Sequence, residues 1–411
     1  MQTSRLRWSL LTSLTIVALI ATAGGSASGA TSTVNAVKAV TIAPAALYSV
    51  SCTSATFCMA VGGTPAPTTQ VAVAESWDGV RWQRLPVPTP PFPPPPPPPP
   101  PRGPTPPVAA VPVFSPRHLD AVSCPSSTEC VAVGQENTGT LFGDTWTAAT
   151  GWTLSQPLQA GGRFSGLYAI SCPTTSLCFA AGSEGDIAGA QSQPPLVERW
   201  TAGTWTLEKI SAPAGTSSLL YGISCPSAGQ CTAVGGLVAG TVREGLIEQL
   251  SGGTWTARPA PGSQASSLYG VSCPTTTACE AVGQTPSGAL AEGWAGGSWV
   301  PSVPATPRHA TGPGLDGVSC ASATHCVATG VAPFTGFSQV AFIDMSNPSW
   351  ALTAQTGSGF GITGLNAVSC WSTATTTPSC ALVGDTTTAP ETLQPLSAFL
   401  TGTKWTIVPT V

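Results

Sequence analysis

Leu220–Gly236 reads LYGISCPSAGQCTAVGG. Two runs of apolar and small residues flank a Cys-x5-Cys whose interior, Pro226–Gln230, holds turn-forming residues, the pattern of a β-hairpin. The same pattern recurs as LYSVSCTSATFCMAVGG from Leu47, LDAVSCPSSTECVAVGQ from Leu119, LYAISCPTTSLCFAAGS from Leu167 and LYGVSCPTTTACEAVGQ from Leu268. LDGVSCASATHCVATGV from Leu315 and LNAVSCWSTATTTPSCALVGD from Leu365 complete a set of seven. Successive first cysteines are 72, 48, 53, 48, 47 and 50 residues apart, and only the first step, which holds a proline insertion, is long. A 40- to 50-residue period with strand patterning is the signature of propeller blades. The expectation is an all-β, seven-bladed β-propeller with four antiparallel strands and one hairpin disulfide per blade, its blades starting near 47, 119, 167, 220, 268, 315 and 365.

Each unit divides into four strand candidates, in the fourth unit LYGISC, CTAVGG, GLIEQLSGG and TWTARPAP. Alternate positions of LYGISC are all apolar or small, as expected of a sheet covered on both faces by neighbouring blades. Every unit ends on a Trp in its last strand: Trp82, Trp152, Trp205, Trp255, Trp299, Trp350 and Trp405. A sugar-stacking platform rarely needs seven equivalent walls, so the series reads as packing between blades. If the two Cys of a unit face each other, Ile223 lies opposite Ala233 and Tyr221 opposite Gly235, with Tyr48, Tyr168 and Tyr269 over Gly62, Gly182 and Gly283. An aromatic over a strand glycine is a stabilising pair, which gives these tyrosines a structural role.

The 14 cysteines pair within repeats as Cys52–Cys58, Cys124–Cys130, Cys172–Cys178, Cys225–Cys231, Cys273–Cys279, Cys320–Cys326 and Cys370–Cys380. Opposite residues at a non-hydrogen-bonded strand pair are close enough to bridge. Tetrahedral zinc would need four ligands, and the next Cys pair lies a whole blade away, so no metal is expected. No cofactor is expected either.

Disulfides belong to oxidising compartments, and the N-terminus agrees. Arg5 and Arg7 precede an apolar run from Leu10 to Ala23, followed by small residues to Ala30, the layout of a secretory signal peptide over residues 1–30, cleaved after Ala30 or Ala23. Residues 31–46 resemble a final strand and could close the ring, a task GTKWTIVP near the C-terminus could equally perform. Pro86 to Val108 is a proline-rich insertion between the first two blades; its nine consecutive prolines should form polyproline II and project as a stiff surface loop. Charged residues make up 8% of the chain and the net charge is −4, with no basic stripe, which argues against nucleic acid. The expected product is a secreted or cell-wall-associated monomer with no stable membrane insertion after signal cleavage.

The segments ESWDGVRW, LSGGTWT and WAGGSWV resemble degenerate sialidase-type repeats. From Leu47 to Val411 the chain resembles secreted bacterial propellers of the sialidase-repeat and photosystem-assembly-factor repeat families. It departs from the former in that only Asp78 matches the sialidase-repeat Asp, and the Cys pairs are additional. The resemblance implies a propeller and leaves activity open. A sialidase-like hydrolase would need clustered arginines and a Tyr with a neighbouring acid. Arg117 and His118, Arg163, and Arg308 and His309 lie in loops leading into units, and Asp120 and Asp316 replace the Tyr of other copies. These residues are the expected binding cluster near one end of the axis. The favoured reading is an exported non-enzymatic binding or interaction propeller with a protein or glycan ligand; the alternative is a secreted sialidase-like or other glycoside hydrolase.

Overall fold

The computed structural model describes residues 45–64, 71–89, 117–136, 139–154, 165–185, 193–210, 216–264, 266–295, 297–305, 312–334, 337–346, 349–355, 362–372, 379–388, 392–401 and 404–411. The signal-like segment and most of the proline insertion lie outside these residues. Twenty-eight strands form seven four-stranded antiparallel sheets, each built from four consecutive strands. In the fourth blade the strands are Ser217–Ser227, Gln230–Ala239, Val242–Ser251 and Thr254–Gln264. The first strand of each blade packs against the first strand of the next, and that of the seventh (Ile362–Trp371) meets that of the first (Ala46–Ser54), so these inner strands encircle the axis.

One serine per blade ties the inner strands together. The innermost strand of a sheet has a free edge whose N–H and C=O groups need partners. Ser51, Ser123, Ser171, Ser224, Ser272 and Ser319 each accept a hydrogen bond from the backbone N–H of the next blade's first Cys, at 2.8–3.0 Å. Ser369 of the last blade accepts the same bond from Cys52 of the first, at 2.9 Å, which closes the circle. The serine before the first Cys of every copy is therefore a ring-forming residue.

The core consists of the junctions between blades. Buried apolar residues form clusters that each span two consecutive sheets, and one of them joins the seventh sheet to the first. The last-strand Trp of each blade packs on the blade before it: Trp152 sits with Met59 and Val61, and Trp205 with Val131 and Leu141. Trp82 lies against Ala381 and Val383 of the seventh blade, and its Nε1 donates to Ser397 Oγ at 2.8 Å. Among the described residues no strand is exchanged across the closure. The outer strand of the last sheet is Lys404–Val408, so the C-terminal segment supplies it, and residues 31–44 lie outside the described residues.

The strand register departs from the expected one in every blade. Ile223 faces Ala233 as expected, but Leu220, not Tyr221, stands opposite Gly235. One residue is unpaired on the inner strand, a β-bulge that shifts the register by one. The same shift occurs at Tyr48, Asp120, Tyr168, Tyr269, Asp316 and Asn366. The paired glycines are thus not seats for aromatic rings. A Cβ on Gly235 would collide with the carbonyl oxygen of Leu219, and the glycines at this register in the other six blades meet the matching carbonyl in the same way. Close backbone approach explains the AVG ending of the second strand.

A second bulge lies inside each hairpin loop described in full, as at Thr53 between the pairs Cys52–Cys58 and Ser54–Phe57. It fits a five-residue loop onto a two-residue turn. Disulfides join the cysteines of all seven repeats, with Cα atoms 3.9–4.0 Å apart.

Candidate functional site at the axis

The bulges decide what faces the axis. In the first blade Leu47 and Val50 go into the blade junction, whereas the bulge residue Tyr48 remains partly exposed. Around the ring the bulge positions read Tyr48, Asp120, Tyr168, Tyr221, Tyr269, Asp316 and Asn366. In three successive blades these side chains meet across the blade boundaries. The Tyr168 and Tyr221 ring centroids are 6.0 Å apart, and those of Tyr221 and Tyr269 are 5.4 Å apart in an edge-to-face arrangement, so three successive blades build one aromatic arc. Burial, then the flanking Tyr269 and Tyr168, raise the pKa of the Tyr221 hydroxyl.

The rest of the ring is polar. Asp316 follows Tyr269; the residue keeps surface open to solvent, yet enclosure by the ring still withdraws its carboxyl from water and pushes its pKa up to about 6. Asn366 Nδ2 donates to the Leu47 carbonyl oxygen at 2.8 Å and to Asp385 Oδ1 at 3.1 Å, which holds its amide across the closure. Asp120 Oδ1 lies 3.2 Å from His118 Nε2, and the His118 ring meets Tyr48 edge-on at 6.1 Å. Burial raises the Asp120 pKa, and His118 pulls it the other way.

The residues expected to converge have separate fates. His118 and Asp120 are brought together, and Asp316 stands at the matching position on another inner strand. Arg117 is buried at the junction of the first and second blades: it pairs with the Asp144 carboxylate, lies 3.8 Å from the Phe142 ring centroid and donates to the Pro88 carbonyl oxygen. Arg163, Arg308 and His309 lie outside the described residues. Among the described residues no group of three or more His, Cys, Asp or Glu side chains is placed to hold a metal.

The tyrosine arc was not among the residues expected at the site. Its signal was present, since all four tyrosines of the chain occupy one repeat position, but only the bulge turns that position toward the axis. The result is an aromatic wall on one side of the ring and carboxyl and amide groups on the other. Such a ring can stack an apolar ligand face and accept hydrogen bonds from its hydroxyl or amino groups.

These features define an all-β propeller with a ring of non-repeating side chains at its axis. No protein-family model and no curated protein sequence matches the chain. Solved structures do match in fold. The GH74 xyloglucanase from Xanthomonas campestris is 11% identical with a TM-score of 0.51, over 87% of this chain and 58% of that one. YCF48 from Cyanidioschyzon merolae is 14% identical with a TM-score of 0.45, over 73% of this chain and 87% of that one. The fucose-recognising lectin of Aleuria aurantia is 13% identical with a TM-score of 0.46, over 77% of this chain and 96% of that one. That lectin is described as six-bladed, whereas the present chain carries seven four-stranded sheets. At these identities the likeness concerns the fold alone.

Proposed function

We propose that the chain is an exported, non-enzymatic binding propeller of the cell envelope or the surrounding medium, which captures a glycan at the axial ring. The observation that carries this reading is the Tyr168–Tyr221–Tyr269 arc, three aromatic faces held on a rigid closed scaffold. Sugar rings present an apolar face to aromatics and hydroxyls to carboxylates, and Asp316 and Asn366 continue the ring beyond the arc. Export is supported by the signal-like N-terminus and by seven disulfides, which persist only under oxidising conditions.

An array of glycans and cell-wall fragments tests the proposal. The expected result is binding by the wild-type protein that weakens about tenfold in Tyr221→Ala, the loss of one stacking partner. Binding should also strengthen as pH rises through about 6, where Asp316 ionises, and Asp316→Asn should remove that step. Release of reducing ends from a bound glycan, or capture only of protein ligands, would overturn the reading.

A further inference from the structure

The blade junctions share their inner-strand contacts and differ toward the outer strands, where two of them stand in contrast at several matching positions at once. Between the first and second blades, Phe57, Met59 and Leu85 pack around Trp146, with the Phe57 and Trp146 rings stacked at 5.6 Å and Trp146 buried. Between the fourth and fifth blades the matching positions are Gln230, Thr232 and Arg258, and the matching tryptophan is Trp294. An apolar wall has become polar. The fifth-blade tryptophan is accordingly left partly exposed, and a cleft of about 260 Å³ opens there, lined also by Gln249 and Thr256.

We infer that this cleft is a second binding site, for a sugar ring that carries a carboxylate. Its volume lies just under the ~300–1,000 Å³ of pockets for drug-sized ligands and suits a single ring. Trp294, whose ring packs with Trp299 at 5.5 Å between centroids, lines the cleft with part of its indole. Arg258 has no ion-pair partner among the described residues, and its guanidinium lies 5.8 Å from the Trp294 ring centroid, so a cation and an aromatic surface share one cleft. A guanidinium fork matches a carboxylate. Gln230, Gln249 and Thr256 reach the surface and can serve the hydroxyls, while Thr232 is buried at the floor. Burying a tryptophan fully against Leu85, as the first junction does with Trp146, would be the more stable arrangement. The partly exposed Trp294 beside an arginine marks a place where packing has been given up for recognition.

The site does not depend on the axial reading, and the experiment keeps them apart. Calorimetric titration would use tetrasaccharides of galacturonate, glucuronate-containing hyaluronan and mannuronate, each beside its methyl-esterified form. The inference expects at least one acid form to bind about tenfold more tightly than its ester. Arg258→Leu, which restores the first-junction residue, should abolish that preference, and Trp294→Leu, which installs the residue opposite the matching cysteine in the fourth blade, should abolish binding. Tyr221→Ala at the axis should change neither. Absence of binding by all three acids, equal binding of acid and ester, or loss of the preference in Tyr221→Ala but not in Arg258→Leu would each overturn the inference.

Discussion

Glu248 stands on the third strand of the fourth blade, fully buried, with neither carboxylate oxygen hydrogen-bonded, and burial pushes its pKa up to about 7. Glu75, Asp144, Glu198 and Glu292 are buried at the same register in other blades, opposite Ala60, Ala132, Ala180 and Ala281. Some of these acids have cationic partners, as Glu75 has Arg84 at 3.1 Å and Asp144 has Arg117. Glu248 has no ion-pair partner among the described residues, so its titration bears directly on stability. Its folded pKa lies above the ordinary 4.5, so the folded state binds the proton more tightly. The stability cost is absent below about pH 4.5, grows as pH rises toward 7, and is constant above that. Glu248→Gln is therefore expected to stabilise the protein by up to about 3 kcal/mol at pH 7.5 and to leave it unchanged at pH 4. Urea unfolding at the two pH values checks this, and equal stabilisation at both would rule out a titration effect. These acids were not legible in the sequence, because a Glu among apolar residues of a strand reads as solvent-facing, whereas here the preceding blade covers that face, as the burial of Leu246 and Leu250 beside Glu248 against the third blade shows.

At the scale of the element, the inner hairpin combines a disulfide, a bulge and a glycine that fits only because of the bulge. The disulfide closes a seven-residue loop in six of the blades and should stabilise each by about 2 kcal/mol through the unfolded chain. The glycine acts in the folded state. Gly235→Ala would drive a Cβ into the Leu219 carbonyl oxygen, which belongs to a paired strand with no room to retreat, and is expected to destabilise by about 2 kcal/mol or more. Gly229→Ala, in the turn of the same hairpin, meets nothing within 4 Å and should be nearly neutral. Thermal unfolding of the two variants under non-reducing conditions makes the comparison, and equal losses would show that backbone crowding is not the reason for Gly235. The Cys spacing and repeat period made the hairpin itself readable from sequence. The bulge was not, since both faces of these strands are covered and a one-residue slip leaves the pattern of apolar residues intact. That one unread residue is what concealed the axial tyrosines, which in the unbulged register lie over glycines.

For the whole molecule, the question is how a ring whose described sheets each consist of four consecutive strands stays closed. Six of its junctions join blades that are consecutive in the chain, whereas among the described residues the junction between the last blade and the first is held by side chains and packing. The closing contacts include Trp82 with Ser397, Asn366 with the Leu47 carbonyl, Arg84 with the Val411 carbonyl at 3.1 Å, and Cys52 with Ser369. The last of these repeats in every junction, which allows a matched comparison. Ser224→Ala removes the link to Cys273 within the chain order, and Ser369→Ala removes the link to Cys52 across the closure. Each leaves a partly buried N–H without its acceptor and should cost about 1 kcal/mol or slightly more. In a closed ring the two variants lose similar stability. In a ring that opens at its ends, the Cys52 N–H is already solvated and Ser369→Ala is silent, while Ser224→Ala still registers. Urea midpoints of the two variants decide between these states. Amide exchange at Cys52 gives a second reading: protection comparable to that of Cys273 is expected, and rapid exchange confined to Cys52 would mean that the axial ring of Tyr, Asp and Asn side chains is not held as one surface in solution.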